Sequence, residues 1–242
     1  SRLIFQIIVC SLFIFDTNMF LISEIEVFNF IYTLFWFIGI INAINLIDSF
    51  DGVSSGTVVI ASLVFLALIV NQGDFDGSFY FISITTILIG VLIGYLIHNF
   101  PPATIFMGDS GSLSIGFLIA ATLVPSESNN YLGLEQAFNI KHILYPCLIL
   151  SFPIFDTALV TLSRIMNGKK FYEGGKDHTA HRFSIIGFSD RKVLFICLAY
   201  SIFSGSLVLI TEILTLSAEL IFLIFFSINI FLLTLMLKVK TY

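Results

Sequence analysis

Residues Asn42-Ala43-Ile44-Asn45-Leu46-Ile47-Asp48-Ser49-Phe50-Asp51-Gly52 place two amides and two carboxylates at the end of an apolar run. Asn42 and Asn45 are three apart, as are Asp48 and Asp51, so each pair can share a helical face. Such hard oxygen donors suit a cation of the Mg²⁺ type, or the ribose and base of a nucleotide. The plainer alternative is a loop, in which Asn, Asp and Gly turn the chain and Asp48 caps a helix. Ionisable groups at the end of an apolar helix are costly, which weighs towards chemistry.

A second segment runs from His98-Asn99-Phe100-Pro101-Pro102 to Phe106-Met107-Gly108-Asp109-Ser110-Gly111-Ser112. Asp109 between two glycines, just before a helix, can hold a metal while backbone N–H groups approach phosphate. It is not a P-loop, because GxxxxGK[ST] is absent; otherwise it is a capped helix start after a Pro-Pro break. The third segment is Gly174-Gly175-Lys176-Asp177-His178-Thr179-Ala180-His181-Arg182. Its HxxH lacks a third ligand at zinc spacing. The adjacent Lys176 and Arg182 suit a diphosphate, unless the loop is simply basic. Asp156 lies eight residues before Arg164, about 12 Å along a helix, and so falls within an apolar zone. A carboxylate there is a functional candidate or one half of a structural pair with a neighbouring helix.

These groups sit in an unusually apolar chain. Of 242 residues, 57% are apolar and 11% charged, with 28 Phe and a mean hydropathy of +1.02. Soluble domains carry about 25% charged residues, so lipid is the solvent here. Nucleic-acid binders, secreted disulfide scaffolds and ordinary cytosolic enzymes are excluded. Cys10, Cys147 and Cys197 are isolated, with no framework or metal spacing. The expected fold is an all-α polytopic membrane bundle of about eight spans. They are 2–15, 27–44, 55–71, 79–98, 111–125, 142–164, 192–211 and 215–237, in one domain over 1–242. The fifth, rich in Gly and Ser, is expected to pack inside the bundle.

Seven of the eleven Lys and Arg lie in one connection, from Arg164 to Lys192. Cations accumulate on the cytoplasmic side. Placing that connection inside also puts Arg2, Lys238 and Lys240 there. Asp16, Glu24, Glu26, Asp74, Asp76, Glu127 and Glu135 then fall outside, with Lys141 the one cation among them. The same topology brings all three polar segments to the cytoplasmic face.

In this order, the segments resemble motifs of the polyprenyl-phosphate N-acetylhexosamine-1-phosphate transferase superfamily. Asn42–Gly56 is similar to NAxNxxDGxDGLxxG, with Ser49 in place of the first Gly, and Phe106–Ser112 to FMGDSGS. Asp177–Arg182, DHTAHR, resembles the DRxHxHHR-type motif of the branch using UDP-GlcNAc and related sugars. The resemblance covers essentially the whole chain. It implies ten or eleven spans and an upstream Asp-Asp pair that no position here supplies, so the expectation is a carboxy-terminal fragment, inactive as given.

The implied reaction is attack of a polyprenyl (undecaprenyl) phosphate oxygen on the β-phosphorus of a UDP-N-acetylhexosamine, with GlcNAc the default sugar. The products are lipid-diphospho-sugar and UMP, the first step towards a cell-envelope glycan such as lipopolysaccharide. By resemblance, Asp109 and Asn45 ligate Mg²⁺, with Mn²⁺ as an alternative. Asp48, Asp51, Asn42 and Asn99 line the uridine and sugar pocket, and Phe106 stacks on uracil. Asp177, His178, His181 and Arg182 hold the diphosphate or sugar phosphate, with Asp156 in support. The absent Asp pair would orient or deprotonate the lipid phosphate. Nucleic acid is not an expected partner; a homodimer in the bacterial inner membrane is. Phospho-MurNAc-pentapeptide transfer is the neighbouring alternative, though the triple-His run of that branch is missing. An ion-coupled transporter using Asp48, Asp51, Asp109 and Asp156 is disfavoured, because the polar groups cluster on one face and no repeat is evident. A scaffold without catalysis also remains open.

Overall fold

Apolar runs longer than four turns have only one way to satisfy their backbone in lipid, namely internally, as helices. In the computed structural model, which describes residues 2–16, 20, 24–73, 75–124, 140–170, 175–239 and 241, all regular structure is helical. The order is α1 (Arg2–Asp16), α2 (Glu26–Ile47), α3 (Val53–Gln72), α4 (Phe75–Asn99), α5 (Gly108–Thr122), α6 (Lys141–Ile149), α7 (Ser151–Met166), α8 (Thr179–Ile186), α9 (Asp190–Ile213) and α10 (Ala218–Leu237). Each of the eight expected spans coincides with one of these helices or, in the sixth, with two.

Five helices are long and apolar enough to cross a membrane: α2, α3, most of α4, α9 and α10. A sixth crossing is the pair α6 and α7, bent by 76°. The bend has a local cause: Pro153 has no N–H for the Ile149 carbonyl, and its ring crowds that carbonyl. The other two expected spans, α1 and α5, have 15 residues each, which is about 22 Å of helix and short of a full hydrocarbon core. The protein is a multi-pass membrane protein, and α8 is an eight-residue addition not expected from hydropathy.

The centre is α2, which packs along α5, α7 and α1, while α3 lies between α4 and α9. Phe37, Ile44, Phe65, Ile119, Tyr145, Leu159 and Cys197 form the buried interior. Phe13, Phe37 and Phe117 join α1, α2 and α5, with ring centroids 5.0–5.6 Å apart. The approach of α5 to α2 depends on Gly116, where a Cβ would sit 2.9 Å from Ile41 Cα. As expected for the fifth apolar run, α5 packs against α2, with Ser112, Gly116, Ile119 and Ala120 buried. The outermost span is α10, whose Leu220, Leu223 and Phe231 are exposed as lipid-facing side chains would be.

Hydrogen bonds show which helix ends share a side. The end of α2, the starts of α1, α5 and α9, and the ends of α4, α7 and α10 are linked to one another at one end of the bundle. Lys141, Tyr145 and Glu212 meet elsewhere, where Lys141 Nζ and Tyr145 Oη donate to Glu212 Oε2 at 3.1 and 2.8 Å. The three polar segments therefore converge on one end, as the charge pattern required. Asp74, Glu127, Glu135 and Lys240, and the side chains of Asp16 and Asp76, lie outside what is described.

Candidate active site

The last turns of α2 run NAINLI and stay helical, so Asn42 and Asn45 project from one face. That face meets the first turn of α5. Asn45 Nδ2 donates to Asp109 Oδ1 at 3.1 Å and to Ser112 Oγ at 2.8 Å. Ser112 in turn donates to the Gly108 carbonyl at 3.0 Å. The guanidinium of Arg2 closes the group, reaching Asn45 Oδ1 at 2.6 Å, Asn42 Oδ1 at 3.3 Å and Asp109 Oδ2 at 3.2 Å. Three hard oxygens from two helices thus converge on one cation.

This donor set fits Mg²⁺. Mg²⁺ typically takes one or two protein carboxylates and completes its shell with water and substrate phosphate. Among the described residues, no three His, Cys, Asp or Glu side chains are grouped to enclose a metal alone. Asp109 is open to solvent, with 72% of its side chain exposed, and so is accessible to such a substrate.

Behind the cage lies a cleft of about 710 Å³, bordered by Arg2, Gln6, Asn42, Asn45, Ser49, Thr157, Thr161, Arg164, Gly175 and His178. That volume is within the usual range for small-molecule sites. Thr157, Thr161 and Arg164 share one face of α7 at helical spacing. Asp48, at the end of α2, is half-buried, and its carboxyl is pushed up to about 7. Burial is the main cause; the Asp109 carboxylate adds to it and the Ser54 hydroxyl opposes it.

Asp51 and Asn99 turn inward to staple two loops. Asp51 Oδ2 accepts the Ala103 N–H at 2.9 Å. Asn99 Oδ1 accepts the Gly52 N–H at 2.8 Å, and its Nδ2 donates to the Ile105 carbonyl at 2.9 Å. Gly52, at φ 75, supplies the left-handed residue that this turn needs. Arg191 Nε braces the same loop through the Pro101 carbonyl at 3.1 Å. Phe106 is left 80% exposed beside the start of α5.

The third segment is placed differently from the expected open phosphate fork. Asp177 is fully buried and takes a two-bond grip from Arg164, Nε and Nη2 at 2.8 Å each. Arg182 is buried too. Its Nε donates to the Asp177 carbonyl, Nη1 to the carbonyls of Met236 and Val239, and Nη2 to Ser163 Oγ. Arg182 caps the end of α10, and its geometry is structural. A cation near the carbonyls of a helix end also finds the favourable end of its dipole. Asp156, buried, accepts from His178 Nδ1 at 2.7 Å and from the Thr179 N–H at 2.6 Å. The His181 ring meets Phe50 edge-on at 5.9 Å, and its Nδ1 is buried without a partner among the described residues. Burial and the neighbouring His178 hold the His181 imidazole below its ordinary range.

The structure thus lines the cleft with Asn42, Asn45 and His178 and joins Asp109 to it through Arg2 and Asn45. Sequence reasoning missed Arg2, Gln6, Ser112, Thr157 and Thr161 as cleft or cage residues. Arg2 had counted only as one cation in a charge pattern. Thr157, Thr161 and Arg164, at i, i+4 and i+7 of one helix, carried a signal in their spacing.

Comparison with known proteins places this geometry in a family. Residues 1–127, which hold the first two segments, match the profile of glycosyl transferase family 4. A probable undecaprenyl-phosphate N-acetylglucosaminyl 1-phosphate transferase of Bacillus subtilis (strain 168) is 38% identical over 179 residues, covering 74% of this chain and 47% of that protein. A decaprenyl-phosphate N-acetylglucosaminephosphotransferase of Mycobacterium leprae (strain TN) is 34% identical over 170 residues, covering 67% and 43%. A phospho-N-acetylmuramoyl-pentapeptide-transferase of Streptococcus mutans is 42% identical over 98 residues, covering 40% and 28%. The chain spans about half the length of the first two relatives. With the profile match extending over more than half of its residues, the chain belongs to glycosyl transferase family 4.

Proposed function

We propose that the protein carrying this chain transfers N-acetylhexosamine-1-phosphate, with GlcNAc as the sugar, from a UDP-sugar to polyprenyl phosphate. The observation that carries this reading is the convergence of Asp109, Asn45 and Asn42 on a single cation at the mouth of the cleft. The relatives named for GlcNAc-1-phosphate transfer to undecaprenyl or decaprenyl phosphate support it. A phosphate oxygen of the lipid attacks the β-phosphorus, the bond to the UMP oxygen breaks, and lipid-diphospho-sugar forms. Two anionic phosphates must be neutralised and aligned, so electrostatic stabilisation carries most of the rate.

Asp109, Asn45 and Asn42 would hold Mg²⁺, which would supply charge neutralisation at the diphosphate. Arg2, withdrawn from these oxygens, would turn to a phosphate. Asp48, Ser49 and Phe106 would border the uridine end. Asp51 and Asn99 would act from behind, by holding the two loops together. His178 and His181 would meet phosphoryl or sugar oxygens. The crowding of cations at the site end supports placing that end on the cytoplasmic face of the bacterial inner membrane.

The test is transfer of labelled GlcNAc-1-phosphate from UDP-GlcNAc to undecaprenyl phosphate in detergent, with Mg²⁺ or with EDTA. It is run on the gene product that carries the chain and on the 242 residues alone. Mg²⁺-dependent labelled lipid from the gene product is the expected result. Labelled lipid only with UDP-MurNAc-pentapeptide would move the assignment to the pentapeptide branch. No labelled lipid with any UDP-sugar would overturn the reading.

A further inference from the structure

His178 stands at the N-cap position of α8, with extended backbone dihedrals. Its ring is pinned on one edge, where Nδ1 lies 2.7 Å from Asp156 Oδ2. The other carboxylate oxygen takes the first N–H of α8, from Thr179, at 2.6 Å. Both residues are buried, and the pair sits where α7 passes the start of α8. Among the described residues, Nε2, on the opposite edge of the ring, has no hydrogen-bond partner, and His178 borders the cleft. The short helix is held at a second point by Arg182, which ties it to α7 through Ser163 and to the end of α10.

A neutral imidazole exists as two tautomers, and an untethered ring presents either nitrogen in either form. A carboxylate whose second oxygen already accepts a backbone N–H leaves one choice, a proton on Nδ1. We propose that Asp156 is a positioning residue, which keeps the His178 proton on Nδ1 and so presents the unprotonated Nε2 as a hydrogen-bond acceptor to a hydroxyl of a nucleoside-diphosphate sugar in the cleft. The ligand class rests on the transfer reaction proposed above; the positioning itself does not. Asp156 thereby acts through His178 and does not touch substrate.

Asp156→Asn tests this with little change of shape. The amide oxygen can still accept from Thr179, but its NH₂ must donate to His178 Nδ1, which drives the ring proton to Nε2. With only four histidines in the chain, ¹⁵N-histidine labelling in detergent micelles reads each tautomer directly. At alkaline pH, wild-type His178 Nδ1 should give a pyrrole-type nitrogen resonance, and Asp156→Asn should convert it to the pyridine type. In the transfer assay Asp156→Asn should lower kcat/KM for the UDP-sugar by about 10- to 100-fold, as loss of a ligand-orienting partner typically does. In a His178→Ala background it should add no further loss. A pyridine-type Nδ1 in the wild type would overturn the proposal without recourse to any variant. So would an equal loss from Asp156→Asn in the His178→Ala background. If the nitrogen spectra behave as expected while the wild type transfers no sugar, the transfer reading falls and the positioning by Asp156 stands.

Discussion

Asn45 and Asp109, 64 residues apart in sequence, share a hydrogen bond of 3.1 Å between Nδ2 and Oδ1 that joins the last turns of α2 to the first turn of α5. The same Asn45 offers its Oδ1 to the Arg2 guanidinium, which also reaches Asp109. One amide therefore orients the carboxylate from one side and a cation from the other.

Asp109→Asn should keep the fold and remove the one carboxylate of the cage. The expected loss is at least about 2.7 kcal/mol of transition-state stabilisation, comparable to removing one oxyanion-hole donor. Steady-state transfer across a Mg²⁺ series checks it; near-normal turnover would take Asp109 out of the metal role.

Gly116→Ala should damage the same site from a distance. Its new methyl would press on the Ile41 backbone, and overpacking of this kind costs about 1–3 kcal/mol. The shift would separate Asn45 from Asp109. A lower Tm in detergent, together with weaker Mg²⁺ dependence, is the expected outcome; an unchanged Tm would mean that α5 can move without cost.

Arg164→Leu should be among the most destabilising single changes. It removes the two-bond grip on the fully buried Asp177 carboxylate, and breaking one side of a buried pair costs about 3–5 kcal/mol. Arg164→Leu with Asp177→Leu should recover part of that loss, since both halves of the buried pair are then replaced. Thermal unfolding of the two variants decides it; equal losses would deny that the broken pair is the cause.

Asp48 gives a pH dependence of definite sign. Its carboxyl is raised from the ordinary carboxylate range to about 7 in the folded protein, so the folded state holds this proton more tightly than the unfolded state does. The associated stability is complete below the ordinary carboxylate range and is lost as pH rises through about 7. Asp48→Asn should flatten the change in Tm across that window. A wild-type Tm unaffected by pH there would contradict the raised carboxyl.

The sequence by itself determined the solvent of this protein and the helices it forms, because lipid leaves a long apolar run no other way to satisfy its backbone. It also determined which connections gather on one end, since Arg164–Lys192 and Arg2 cannot be shared between faces without cost. Asn42, Asn45 and Asp109 were legible from residue type and spacing as candidates to meet a cation or a nucleotide, and the fold brings the three together. What only the tertiary structure decided was the partner of each polar group. Asp51, Asn99, Asp177 and Arg182 looked like open ligands for a substrate, yet each meets backbone or an opposite charge across 5 to 57 residues of chain. Arg2 looked like a charge marker and lies in the cage. Spacing along a helix fixes a face, but the face that meets it depends on how closely helices pack, and Gly116 and the bend at Pro153 set that in three dimensions.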